Sequence, residues 1–241
     1  MTGARPDHRQ AVAAQRRERM RFRLIRSGLL VIAAKGFEAT VIDDVIRHAA
    51  VSRGSFYNHF PDIPALMVAA RDALVDEFLL LTLSAVAGVT DPAAACAIGV
   101  RVAFKVSADY PLLALFSART GVNVARGGNL VRELMAPIVA LGIRTGRFHP
   151  MPVSLAADCV AATVAMTMQR QAAGEVDDVS VVIAAVLRLL NIPADEAEAL
   201  ALRPAPAVMP DPSGLIAQSD LARRDLEGAP GGYSGRPTAL R

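Results

Sequence analysis

Apolar positions recur along most of this chain at steps of three and four, the spacing of helices that bury one face. From 16 to 34, Met20, Leu24, Gly28 or Leu29, Ile32 and Ala33 keep that step until Gly36 ends it. Ile42, Val45, Ile46 and Ala49 repeat it over a shorter stretch, with Asp43 and Asp44 in the first turn, where the helix dipole favours acids. Thr40 is placed to cap this helix and Ser52 to cap a very short third one that Pro61 closes. Longer apolar segments follow near 64–87, 92–107, 111–119, 128–145, 153–173 and 177–191, separated by breaks such as "GVTDP", "RTGVNVARGG" and "RTGRFHPMP". Strand alternation is sustained nowhere. The pattern predicts an all-α fold of about nine helices.

The same pattern divides the chain. Residues 1–15 lack an apolar period and read as a flexible arm. Residues 16–62 hold one longer and two short helices joined by a tight turn, the helix-turn-helix arrangement. Residues 63–192 form a larger helical body. Residues 193–241 carry seven of the fifteen prolines and five glycines, a composition that predicts a mostly disordered tail, with one short helix allowed around 215–226. Deleting residues 200–241 is accordingly expected to leave the folded protein stable.

Charge sharpens this division. Residues 1–60 hold eleven Lys/Arg against five Asp/Glu, whereas 61–241 hold fifteen against eighteen. A basic head on a slightly acidic body suits a polyanionic partner, although a solvated basic helix gives the same totals. The longest central uncharged run, 78–90, is too short to span a bilayer, and no apolar block with a small-residue cleavage site opens the chain, so a cytoplasmic protein is expected. Cys96 and Cys159 stand far apart without ligand spacing and read as buried free thiols, with no metal and no cofactor implied. The chain has no Gly-rich phosphate loop, HExxH or GxSxG, and the adjacent Asp pairs sit at helix starts, so an enzyme is not expected.

The stretch "VSRGSFYNHF", 51–60, concentrates rings in a chain that is only 5% aromatic. A helix here is too short to stand alone, so Phe56 and Phe60 are expected to pin it inward. Ser52, Gly54 and Ser55 keep the other side small enough to enter a major groove. Arg53 can reach a phosphate or a guanine edge, and Tyr57 and His59 carry polar tips suited to phosphate oxygens.

Together with "GF" before Thr40, the apolar stripe and "HF" followed by Leu66, this segment resembles the DNA-binding head of the TetR/AcrR transcriptional regulators over roughly residues 20–70. The resemblance implies a homodimer that binds a double-stranded, palindromic operator through Thr40, Ser52, Arg53, Ser55, Tyr57 and His59. It further implies a helical body in which a small molecule releases the operator, so that a repressor is the first expectation; a protein of the same fold that activates, or acts without a ligand, is the alternative. Three positions depart from the family pattern: Ile63 replaces a lysine, Ala50 a turn glycine and Ile32 an aromatic, the last two reading as packing adjustments. In the body, the helices near 153–173 and 177–191 are apolar on two sides and are expected to pair across the dimer. Phe104, Tyr110, Phe116, Met135 and Met166 are candidate linings of an apolar ligand pocket, although residues of these types more often serve as plain core.

Overall fold

The computed structural model describes residues 8–110, 130–176, 178–204 and 206–228, and ten helices and no strand lie among them. In chain order they are α1 (His8–Lys35), α2 (Ile42–Ala49), α3 (Arg53–Tyr57), α4 (Ile63–Ala85) and α5 (Pro92–Asp109). They continue as α6 (Leu130–Arg144), α7 (Val153–Ala172), α8 (Ser180–Leu189), α9 (Ala194–Ala201) and α10 (Leu215–Gly228). The helix expected at 111–119 lies outside the described residues.

The head is α1 to α3. Its inner face is the stripe read from the sequence: Leu24, Ile25, Leu29 and Ile32 on α1 and Val45 and Ala49 on α2 are all buried. Helix α1 reaches three turns further toward the N-terminus than the apolar stripe, because residues 8–15 are rich in Ala and Gln, good helix formers that need no buried face. The expected flexible arm is thus helical over 8–15.

Helix α4 starts where Asp62 accepts the amide of Ala65 at 2.8 Å, and it packs back on α1. Gly28 faces Leu66 there, where a Cβ would stand 2.7 Å from Leu66 Cδ2. A larger residue at Gly28 would force the Leu66 side chain to move.

The body is organised around α5, which packs against α4, α6, α7, α8 and α9. Its sequence explains this: alanines, Cys96 and Gly99 give it a slim profile that neighbours can approach from nearly all sides, and most of its length is buried. Burial also pushes the Cys96 thiol up to about 12, which leaves it unreactive. Cys159, expected to be buried as well, is half-exposed on α7.

Asp91 opens α5 by accepting the amides of Ala93 (3.1 Å) and Ala94 (3.4 Å). Arg147, beyond the end of α6, donates to both carboxylate oxygens of Asp91 at 2.8 and 3.2 Å and also to Glu196 on α9. One planar guanidinium therefore fastens three separate segments, and beside it the Asp91 carboxyl is held below its ordinary range. Arg101 completes the seam by donating to the carbonyl of Ala201 at the end of α9.

The region expected to be a disordered tail differs most from the sequence reading. Over 194–201 it forms α9, with Ala197, Leu200 and Ala201 in the core, and over 215–228 it forms α10, with Leu215 and Ile216 buried. Helix α10 lies against both α1 and α4 and so bridges head and body. Its first turn sits on Glu77 of α4, whose carboxylate accepts the amide of Ile216 at 3.0 Å. Gly214 lets the chain come that close: a Cβ there would meet Glu77 Oε1 at 2.3 Å. Burial raises the Glu77 pKa, and the donors of the α10 terminus work against that rise. Proline and glycine counts missed these contacts because they average over a segment in which two short amphipathic stretches are spaced by turns.

Two outcomes are expected. A chain ending at Arg203 loses the α10 dock and melts roughly 5–15 °C lower, read by circular dichroism, since burying Leu215 and Ile216 is worth about 1.5–3 kcal/mol each. Arg147→Met destabilises by roughly 1–2 kcal/mol in denaturant titrations at neutral pH. Because the Asp91 pKa is depressed in the folded state, that contribution is present above the ordinary carboxylate value, and the gap between variant and parent closes as pH falls through the depressed one.

Candidate nucleic-acid interface

Helix α3 has five residues, and its sequence sorts them by side. Phe56 is fully buried and Phe60, just beyond the helix, is nearly so. Their ring centroids lie 6.1 Å apart, and Tyr57 meets Phe56 edge-on at 5.8 Å. The Arg21 guanidinium of α1 lies 5.7 Å above the Phe60 ring. On the other side Ser52, Arg53, Gly54 and Tyr57 are exposed, Tyr57 by 51%, and Ser55 and His59 are half-buried. Ser52 caps the helix by accepting the Ser55 amide at 3.1 Å, and the two hydroxyls are 2.9 Å apart.

The α2–α3 turn fixes the angle at which this face is presented. The amide of Val51 donates to Ile46 at 3.0 Å and that of Ala50 to Arg47 at 3.2 Å, the paired closure of a helix that ends in a left-handed residue. That residue is Ala50, with φ 49° and ψ 53°. The sequence reading treated Ala50 as a packing adjustment; the backbone makes it a conformational one, since a β-carbon in this region is strained.

Electrostatics add two features that residue type alone did not reveal. Arg53 is paired with Asp43 of α2, which raises its pKa and ties α3 to α2. His59 has its pKa lowered, first by burial and then by the positive charges of Arg17 and Arg21, so its ring is neutral at pH 7 and has a single N–H to donate.

Among the six residues singled out in the head, Ser52, Arg53, Ser55, Tyr57 and His59 come together on or beside α3. Thr40 does not share that exposure: it is buried, and its hydroxyl donates to the carbonyl of Gly36 at 2.7 Å, closing the α1–α2 turn. Nor does it cap α2. The residue before that helix is Val41, whose amide is taken by Asp44 at 3.4 Å, while Asp44 also binds Lys35 at 2.7 Å. Ile63, where the family pattern has a lysine, is buried and joins the core, so that position presents no charge.

The ligand candidates fare unevenly. Phe104 and Met135 are buried in the core, with Met135 lying in the space that Gly99 leaves on α5. Tyr110, at the end of α5, is half-buried against the same core. Phe116 lies outside the described residues. Met166 is 59% exposed on α7, so it does not line an interior pocket; Leu155 on α7 and Val181 and Leu189 on α8 are likewise exposed. No helix among the described residues is long and apolar enough to cross a membrane.

A short outward helix held by a two-ring anchor behind a left-handed turn completes a helix-turn-helix unit of the kind that DNA-binding regulators carry. The family model of the bacterial regulatory proteins of the tetR family matches residues 24–70. Among solved structures, RolR in complex with its ligand resorcinol has a TM-score of 0.65 at 26% identity, over 81% of this chain and 100% of that one. The fatty acid degradation regulator FadR from Bacillus halodurans has 0.58 at 19%, over 71% and 94%. FadR from Bacillus subtilis, in complex with stearoyl-CoA, has 0.57 at 18%, over 70% and 96%. No curated protein matches the chain. Residues 24–70 thus match the tetR family of bacterial regulatory proteins, and the chain as a whole shares the fold of RolR.

Replacing Ala50 by Gly removes the strained β-carbon and is expected to raise stability by about 1 kcal/mol in chemical denaturation. A loss of stability instead would mean that the turn does not take the left-handed form.

Proposed function

We propose that this protein is a homodimeric repressor that docks α3 of each subunit in successive major grooves of an operator and is released by a small apolar molecule held in the body. The observation that carries the reading is the two-sidedness of α3: Phe56 and Phe60 are buried, and Ser52, Arg53 and Tyr57 are exposed on the side away from them. Backbone and small side chains reach the groove floor there. Arg53, once it exchanges Asp43 for a guanine edge, reads sequence, while Tyr57 and His59 position the head on phosphates. Thr40 acts indirectly, by fixing the turn that orients α2.

The dimer is supported by the apolar side chains of α7 and α8 that stand in solvent in a single subunit, Leu155, Met166, Val181 and Leu189. Two copies of this helix pair form a four-helix seam related by a two-fold axis. The ligand is supported by the likeness to RolR, which binds resorcinol, and by the apolar interior around Phe104 and Met135. A ligand seated among the body helices shifts α4, and because α4 packs on α1 it changes the separation of the two heads from the spacing of about 34–36 Å that successive grooves require.

Selection of bound duplexes from a random pool supplies the operator. On that duplex Tyr57→Ala is expected to weaken binding by roughly tenfold, about 1.4 kcal/mol, with its melting temperature unchanged. An unaltered affinity would sink the outward placement of α3.

A further inference from the structure

We propose that the N-terminal half of α1 is a second nucleic-acid contact, in which Arg17 and Arg21 hold the phosphate backbone beside the segment engaged by α3 and lengthen the protein's footprint on the duplex. The proposal rests on the DNA-facing reading of α3 and assigns two binding residues that lie outside the helix-turn-helix unit.

Geometry carries it. Helix α1 has 28 residues, and its continuous burial starts only at Leu24. The residues before that point extend it by roughly 24 Å at the rise of an α-helix. Steps of three and four along one face connect Ile32, Gly28, Ile25, Arg21 and Arg17. The first three lie in the core, with Gly28 against Leu66, so this is the face by which α1 holds the rest of the head. Where the core ends the same face continues as arginine. Arg21 stacks over Phe60, the ring that anchors the end of the α3 segment, and the charges of Arg17 and Arg21 act on His59 beside it. Arg21 therefore sits at the C-terminal end of the α3 segment, and Arg17, one turn further along the same face, carries the positive charge beyond it.

Charge supplies the second argument. Helix α1 carries eight Lys/Arg and a single acid, Glu18. Neither Arg17 nor Arg21 has a carboxylate within ion-pair distance among the described residues. Arg53, by contrast, is already paired with Asp43. An unneutralised arginine pair on a rigid helix, beside a polar surface that itself fits phosphate, matches the regular anionic edge of a duplex. Arg16 and Arg19 lie on the opposite side of the same helix and serve as an internal control.

The test is equilibrium binding of the full chain across a salt series, using the duplex selected from a random pool, bare and with ten added base pairs at each end. The wild-type chain is expected to bind the extended duplex more tightly than the bare one. R17Q/R21Q loses about tenfold on the extended duplex, keeps the base preference of the wild type, and lowers the slope of log K against log salt by about 2 or more, since each phosphate contact contributes about 0.9. R16Q/R19Q, with the same charge change, shifts the slope by less than half as much. Because Arg21 packs on Phe60, R17Q alone is the fallback if the double variant melts early, with a slope change of about 1 or more expected. A slope for R17Q/R21Q and R17Q equal to that of the wild type overturns the proposal, as does an equal effect of R16Q/R19Q, which would reflect net charge alone. If the wild-type chain itself shows no salt-dependent binding to either duplex, the reading of α3 fails and this proposal with it; wild-type binding with silent arginine variants removes only the second contact.

Discussion

The burial of Phe56 and Phe60 is the constraint on which the rest of this molecule depends. A helix of five residues makes too few internal hydrogen bonds to offset the entropy of ordering it, so its shape has to be imposed from outside. Two rings sunk into the head, one of them also covered by Arg21, impose it. Everything exposed on α3 inherits its direction from that anchor and from the turn at Ala50. The outward side chains can then be polar, because apart from the Ser52 cap it is the buried rings that hold the helix.

Head and body are not independent units. One continuous apolar core runs from Leu24 and Phe56 through Leu66 and Phe78 to Phe104 and Leu187. Helix α4 carries it across the junction, pressed against α1 where Gly28 removes the β-carbon, and α10 spans both helices from the far end of the chain. A movement of α4 therefore reaches α1, and it has to be accommodated by α10 as well. Ordinary packing supplies the mechanical link that a ligand-controlled regulator requires.

Polar clamps fix the rest of the body. Arg147 joins the start of α5 to α9, Arg101 closes the end of α9, and Glu77 seats the start of α10. Each one ties residues that are far apart in the chain, and Arg101 and Glu77 also satisfy a loose carbonyl and a loose amide of helix ends.

What the sequence determined is what short-range periodicity and local chemistry encode: the all-helical class, the three helices of the head, the inward rings Phe56 and Phe60, and the cap Ser52. These follow from spacings of a few residues, which a single chain displays directly. Tertiary structure decided the pairings between distant positions. It buried Thr40 against Gly36, turned Met166 outward, placed Ala50 in a left-handed backbone, set Asp43 on Arg53, and drew α9 and α10 out of a proline-rich stretch into the core. Such outcomes depend on which surfaces meet, and the composition of a segment does not contain that information: Leu215 and Ile216 look like isolated apolar residues until α4 supplies Glu77 and a groove to receive them.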